Sequence, residues 1–226
     1  MLIAPEDDPR RAALDAALKD ALAARLALGE AGRPDAGALA LRALLAGATP
    51  AEGAVLKAAW GRMAILDRPL VVWGAASQVL SADRFGLNVR LAAEPDQALD
   101  AAVGGATAVL DLAPGRPWWG RLLARPELKV TAALPDDAAA RPRALVVTRA
   151  QPGPTGDDRT FWITDGARSD AEIAAALAQA GLAAQPLTAG GGLKLFLLAG
   201  YVQAEDGRLD GAPGDLTGVI GAAPVF

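Results

Sequence analysis

The sequence Arg143-Ala-Leu-Val-Val-Thr-Arg149 is followed by Ala150-Gln-Pro-Gly-Pro154 and then by Thr155-Gly-Asp-Asp-Arg-Thr-Phe-Trp-Ile-Thr-Asp165. Two apolar runs rich in β-branched residues flank a short stretch of Pro, Gly and Asp. This pattern predicts a strand, a turn-rich crossing and a second strand. We therefore predict a domain boundary next to this stretch, so that residues 143–226 form the last of three domains.

The first 68 residues have the periodicity of helices. Between residues 8 and 30 leucine recurs at every fourth position, at Leu14, Leu18, Leu22 and Leu26. A second helix is predicted at residues 35–45, and a third from residue 50 to about residue 66. Thr49 has the place of an N-cap, and Glu52 lies near the capping-box position. Because one layer of helices leaves its apolar stripe uncovered, we expect this segment to pack on something else.

Residues 69–142 alternate between short apolar runs and helical stretches. Strands are predicted at residues 70–73, 87–92, 107–112 and 129–134, with helices at 77–85, 96–103 and 117–124. This alternation predicts a parallel or mixed sheet with both faces covered. Two aromatic residues, Trp118 and Trp119, follow the third strand. They are interpreted either as packing anchors for the core or as an aromatic wall for a ring-shaped ligand.

The pattern of residues 143–226 predicts the order strand, helix, strand, strand. The strands are expected at residues 159–164, 184–188 and 193–202, and the helix at 169–180. Ser169 and Glu172 have capping-box spacing, and the Gly190-Gly-Gly192 run is typical of a hairpin turn. A loop of Gly, Asp and Pro follows, in which a second helix is expected to be short or missing.

Composition excludes several kinds of function. The 226-residue chain has a formal net charge of −4, so a basic nucleic-acid-binding face is not expected. It has no Cys and no His, which removes thiolate nucleophiles, imidazole bases and the usual zinc ligands. We expect no metal and no cofactor. The remaining Arg, Lys, hydroxyl and carboxylate groups suit the binding of a small anion.

The sequence also predicts a location in the cell. The N-terminus becomes acidic before any long apolar run begins, so no signal peptide is predicted. The apolar runs, such as residues 193–202, are too short to cross a membrane. We therefore expect a cytoplasmic protein with no membrane partner.

The order of the three parts resembles the bifunctional chorismate mutase / prephenate dehydratase family. The segment Lys57-Ala-Ala-Trp60-Gly-Arg62 is similar to the third helix of the mutase part, and Thr155-Gly-Asp-Asp158 is similar to the segment that leads into the family's ACT domain. The tail at residues 219–224 resembles the end of such a domain. The resemblance implies a multi-part α+β / α/β fold. Its parts would be a three-helix mutase-like segment (residues 1–68), a truncated α/β dehydratase-like domain (69–142) and an ACT-like, ferredoxin-like regulatory domain (143–226).

The resemblance also implies candidate site residues. Arg25 falls on an arginine of the mutase site, and a rebuilt site would add other cations, namely Arg11, Arg42 and Lys57. Four cations of these helices are also interpreted as parts of solvated helix faces: Arg25, Arg42, Lys57 and Arg62. The threonine proposed as the acid of the dehydratase falls on Pro142, which cannot donate a proton. Dehydratase activity is therefore expected to be lost.

Three functional hypotheses follow from the resemblance. The first is a catalytically eroded relative that binds a small molecule, or regulates a partner, in aromatic amino acid metabolism. Its ligand would be chorismate, prephenate or an aromatic amino acid, with five residues as candidate contacts: Trp118, Trp119, Arg143, Thr155 and Asp158. The second is a working chorismate mutase with a rebuilt cationic site, which would act by orientation and electrostatics. The third is an assembly module. A homodimer is expected in each case.

Overall fold

The N-terminal third of the chain is helical. The computed structural model describes residues 8–27, 33–113 and 115–226, and three helices confirm those predicted here: α1 (Pro9–Ala27), α2 (Pro34–Leu45) and α3 (Pro50–Ala64). Each begins with a proline, whose missing N–H has no intrahelical partner to lose in the first turn. Thr49 and Glu52 form the predicted capping box. The predicted end of the first helix near residue 30 lies outside the described residues.

The middle of the chain alternates between strands and helices, as predicted. Its elements are β1 (Leu70–Trp73), α4 (Ala75–Phe85), β2 (Arg90–Leu91), α5 (Pro95–Val103), β3 (Thr107–Asp111), a 3₁₀ helix (Trp118–Ala124) and β4 (Lys129–Leu134). The strand predicted at residues 87–92 is only two residues long. Because β2 is an end strand that pairs with β1 alone, at Arg90 and Leu91, few ladder bonds extend it.

The remaining elements also follow the predicted order. They are β5 (Ala144–Thr148), β6 (Asp158–Thr164), α6 (Asp170–Gln179), β7 (Ala184–Gly190), β8 (Leu193–Ala199), a second 3₁₀ helix (Gly207–Leu209) and β9 (Thr217–Pro224). Ser169 and Glu172 form the predicted capping box of α6. The glycine run joins β7 to β8 as a hairpin, as predicted. The second helix of this part, which is predicted to be short or missing, is a 3₁₀ helix of three residues.

The predicted fold class is wrong, because the strands do not form separate sheets. Within the described residues the nine strands form one mixed sheet in the order β2-β1-β3-β5-β4-β9-β6-β8-β7. Strand β5 lies between β3 and β4 and is antiparallel to both, so the sheet continues across residue 142. Strand β9 joins β4 in parallel at Val130 and Gly221. The protein therefore has an α+β fold built on one large sheet, rather than a mutase-like helical segment with separate dehydratase-like and ACT-like parts.

Both faces of the sheet are covered. On one face a continuous apolar cluster runs from β1 to β8 beneath α5 and the first 3₁₀ helix. On the other face α4 and the end of α3 cover Leu70, Val72, Val109 and Val146, and α6 covers Trp162 and Phe196. Helices α1–α3 pack on each other through Ala21, Leu41, Leu56 and Trp60, and Phe226 packs against this cluster. The boundaries predicted at residues 68 and 142 concern which segments fold independently, and they stay predictions.

No helix in the described ranges combines the length and the apolar character that crossing a bilayer would require.

Candidate functional site

A cavity lies between the N-terminal helices and the sheet face that α4 covers. We call it the helix–sheet cavity. Its volume is about 180 Å³. Residues from α1, α2, α3 and α4 form its roof, and residues from β3, β4 and β5 form its floor. Since these elements are far apart in sequence, the cavity exists only once the helical segment has packed on the sheet.

The charged groups of the cavity are mostly cationic. Among the described residues that line it are Arg25, Arg33, Arg68 and Arg84, with Asp136 as the acidic member. Arg33 at the N-terminus of α2 pairs with Asp35, with 2.8 Å between Nη2 and Oδ2. Arg84 lies 3.5 Å from the Asp136 carboxylate and donates to the main-chain oxygen of Lys57. The lining therefore contains four arginines and one carboxylate, and two of the arginines, Arg33 and Arg84, are already paired with carboxylates.

Arg84 lies in an environment that disfavours its charge. Burial lowers the pKa of its guanidinium, and the nearby Asp136 carboxylate opposes that change. Asp136 in turn accepts from Lys57 Nζ at 3.0 Å, and Asp137 accepts from the same ammonium group at 2.9 Å. This network ties α3 and α4 to the loop after β4. It holds Arg84 at the cavity with little freedom to reorient.

The walls of the cavity are apolar and aromatic. Leu41 and Trp60 come from the helices, Phe85 from α4, and Val146 from the sheet. Phe226 completes the wall. Its ring centre lies 5.6 Å from Arg42 Cζ and 5.6 Å from Lys57 Nζ, and its backbone N–H donates to the Asp136 main-chain oxygen at 2.9 Å. An apolar ligand body would therefore contact side chains held in fixed positions.

The floor carries three hydroxyl groups. Thr107, Thr131 and Thr148 are buried and line the cavity. Thr148 Oγ1 donates to Thr131 Oγ1 over 3.4 Å and accepts from the Ala150 N–H at 3.2 Å. These hydroxyls are the polar part of a sheet face that is otherwise apolar.

The structure does not bring the four cations predicted from the resemblance into one place. Arg25 lines the helix–sheet cavity, whereas Arg11 is exposed on the outer part of α1. Arg42 donates to the main-chain oxygens of Thr155, Asp157 and Val225, the last two at 3.0 Å. Lys57 is paired with the two aspartates after β4. Arg42 and Lys57 thus join segments of the fold at positions outside the cavity lining.

The predicted ligand-binding residues are also dispersed. Trp118 and Trp119 are each 2% exposed and pack in the core on the opposite face of the sheet, as the packing interpretation predicted. The Trp118 indole N–H donates to the Asp111 main-chain oxygen at 2.6 Å. Arg143 is exposed immediately before β5. Their roles in ligand binding stay predictions.

Thr155 and Asp158 form a compact turn in the crossing between β5 and β6. The Asp158 carboxylate accepts from the Thr155 N–H and from the Thr155 hydroxyl, both at 2.7 Å. Both residues are buried, and Arg42 binds the main chain of the same turn. Arg42 therefore fixes the predicted turn-rich crossing to α2.

Most residues that line the cavity are not predicted as site residues from the sequence. Arg33, Arg68 and Arg84 stand in or beside different helices, and no local pattern distinguishes them from surface cations. The threonines give a weak signal in the sequence, because Thr107 begins an apolar strand, Thr131 interrupts one and Thr148 ends one. Only strand pairing shows that they lie together.

Comparison with known proteins gives the fold and little more. No family model matches the chain, and no curated protein matches it. A solved structure described as "GqqA- a novel type of quorum quenching acylases" is similar to this chain with a TM-score of 0.50 and 19% identity. The match covers 71% of this chain and 96% of that one. At this identity the likeness shows a shared fold alone.

The predicted membership of the chorismate mutase / prephenate dehydratase family is wrong. The family models give no match, the structure that shares the fold is described as an acylase, and the strands form one sheet. The associated prediction of an ACT-containing protein of aromatic amino acid metabolism is wrong for the same reason. The short motifs that suggested it are turn and capping patterns that serve this fold locally.

Proposed function

We propose that the protein binds a small amphipathic anion, a carboxylate with an apolar body, in the helix–sheet cavity. One observation carries the proposal: the same cavity is lined by Arg25, Arg33, Arg68 and Arg84 and walled by Leu41, Trp60, Phe85 and Phe226. Guanidinium groups bind carboxylates with two parallel hydrogen bonds. Apolar pockets with a few convergent polar groups are the common form of small-molecule sites.

The size of the cavity limits the ligand. An apolar protein cavity of about 150 Å³ holds a benzene molecule. A cavity of about 180 Å³ therefore suits a body of that size with a short polar extension. We infer a ligand of about six to ten non-hydrogen atoms.

The chemistry of the cavity supports binding more than turnover. The Thr148 hydroxyl donates to the Thr131 hydroxyl and accepts from the Ala150 N–H, and neither hydroxyl is bonded to a base that would activate it as a nucleophile. The chain contains no His and no Cys. An acyl chain is one apolar body that would fit, so acyl acids belong among the ligands to test, but no hydrolytic step is proposed.

Isothermal titration calorimetry tests the proposal. The probes are hexanoate and phenylacetate, each with its neutral amide as a charge control. We expect the acids to bind at least about tenfold more tightly than the amides, because only the acids form charge-assisted hydrogen bonds with arginine. Equal binding of acid and amide, or no binding of either acid, would contradict the proposal.

A matched pair of variants on α1 locates the site. Arg25→Gln removes a cation from the cavity lining, and Arg11→Gln removes an exposed cation from the same helix. We expect hexanoate binding to weaken about tenfold in Arg25→Gln and to be unchanged in Arg11→Gln. The same loss in both variants would point to general electrostatics instead of a defined site.

The location and the oligomeric state are further proposals. We propose that the protein works in the cytoplasm as a homodimer. The end strand β2 has apolar neighbours at the surface, since Leu87 is 86% exposed and Leu91 is 58% exposed. An uncovered strand edge beside apolar residues favours association. Light scattering would show a dimer as twice the 22.9 kDa chain mass, and cell fractionation would test the location.

A further inference from the structure

The three threonines on the cavity floor form a row across neighbouring strands. The register pairs Ala108 of β3 with Val147 of β5, which places Thr107 beside Thr148. On the other side of β5, Thr148 pairs with Lys129 of β4, and Thr131 follows at an irregularity between Val130 and Ala132. The order β3-β5-β4 in the sheet therefore brings the three hydroxyls into one row, the threonine row.

The threonine row has hydrogen-bonding capacity left for a ligand. A hydroxyl can donate one hydrogen bond and accept two. The bond between Thr148 and Thr131 is long at 3.4 Å, and the Ala150 N–H takes one acceptor position of Thr148. Good hydroxyl–hydroxyl bonds are about 2.7–2.8 Å long. A ligand oxygen could therefore replace this weak pair bond with shorter ones.

The surroundings make such a replacement favourable. Val146 precedes the end of β5 by two residues on the same face, and Ala132 lies beside Thr131, so the row is set in an apolar surface. Buried polar groups in such surroundings gain more from a hydrogen bond than exposed ones do, because water does not compete. A pocket for a purely apolar body would be better lined by valine at these positions.

We propose that the ligand carries, besides its carboxylate, a neutral oxygen group that the threonine row binds. The ligand class is a small hydroxy acid or oxo acid whose second oxygen is separated from the carboxylate by an apolar spacer. This inference rests on the proposed function and specifies its ligand. The arginines hold the carboxylate, the aromatic and aliphatic walls hold the spacer, and the threonine hydroxyls select the second group.

Three acids with the same six-carbon skeleton test the inference by calorimetry: hexanoate, 6-hydroxyhexanoate and adipate. We expect the 226-residue protein to bind 6-hydroxyhexanoate about threefold to tenfold more tightly than hexanoate, which is the effect of one added hydrogen bond. Equal affinities for these two acids would overturn the inference and leave the proposed function intact. Tighter binding of adipate than of the hydroxy acid would also overturn the inference, because the site would then prefer a second carboxylate to a neutral oxygen group. Failure of all three acids to bind would overturn the proposed function itself.

Variants assign the preference to the row. Thr148→Val removes the hydroxyl, and Thr148→Ser keeps it. Thr217→Val makes the same change at an exposed position of β9, outside the cavity lining. We expect Thr148→Val to bind the hydroxy acid and hexanoate about equally. The preference for the hydroxy acid should persist in Thr148→Ser and in Thr217→Val. If the Thr148→Val protein does not fold, the Thr107→Val protein is measured in its place. An unchanged preference for the hydroxy acid in the valine variant would overturn the inference.

Discussion

The type of a residue does not decide its role in this protein. Arg25 and Arg42 are both helix arginines that the sequence marks as candidates for anion binding. Arg25 lines the helix–sheet cavity, whereas Arg42 binds main-chain oxygens of the crossing and of the C-terminus. Arg159 likewise binds the main chain of the loop after β4, at Asp137 and Ala140. A guanidinium group has five donors, so it can bind several main-chain oxygens, as in Arg42, or it can bind a ligand.

Also at the scale of a residue, the Asp158 carboxylate in the turn between β5 and β6 is expected to contribute strongly to the stability of the fold. Asp158→Ala leaves the buried N–H and hydroxyl of Thr155 without their acceptor. We expect the free energy of unfolding to fall by about 2–4 kcal/mol, because two buried donors lose a charged partner. Urea denaturation followed by circular dichroism measures it.

The neighbouring aspartate provides the control. Asp157 is exposed, and it is its main-chain oxygen that accepts from Arg42. Asp157→Ala should therefore change the free energy of unfolding by less than about 0.5 kcal/mol. Similar losses in both variants would mean that the charge of this loop matters more than the buried hydrogen bonds.

At the scale of elements, the contact between α3 and α4 depends on a glycine. A Cβ atom at Gly61 would collide with the main-chain oxygen of Arg84 and lie 3.2 Å from the Phe85 ring. Gly53 is on the same helix, and a Cβ atom there would meet only Leu45 at an ordinary 3.5 Å. The two positions differ in what surrounds them, although both are helical glycines.

These two glycines make a matched pair of predictions. Gly61→Ala should lower the free energy of unfolding by about 2 kcal/mol or more, since the backbone of α4 must move. Gly53→Ala should raise it by about 0.5–1 kcal/mol, because alanine restricts the unfolded chain and favours the helix. Thermal and urea denaturation measure both changes. Stabilisation by both substitutions would show that α3 and α4 are not in close contact.

At the scale of the whole molecule, the sheet predicts cooperative unfolding. One apolar cluster includes Val71 of β1, Leu145 of β5, Phe161 of β6 and Leu195 of β8. Since this cluster spans the boundary predicted at residue 142, we expect one calorimetric transition with equal calorimetric and van't Hoff enthalpies. Two separate transitions would support the predicted domain boundaries and contradict a single cooperative unit.

Local features of the fold could be predicted well from the sequence. The leucine period of the first helix, the capping boxes at Thr49 and Ser169, and the glycine hairpin at residues 190–192 all have the structure expected of them. Each depends on interactions between residues within a few positions of each other. The predicted length of β2 is too long, because β2 lies at the edge of the sheet and pairs with one strand only.

The candidate site could be predicted only in part. The sequence marks Arg25 as a candidate, but it does not mark Arg33, Arg68, Arg84 or the threonine row. Their side chains meet because β5 pairs with β3 and β4, and because the helical segment covers that part of the sheet. Neither contact has a local signature in the sequence.

The sequence by itself determined the helices and strands, their order and the exclusion of imidazole and thiolate chemistry. Tertiary structure decided that the strands form one sheet, through pairings such as Val130 with Gly221, and that scattered arginines and threonines share one cavity. The physical reason is the range of the interactions. Helix capping and periodicity are local, whereas strand pairing and cavity formation depend on residues far apart in the chain.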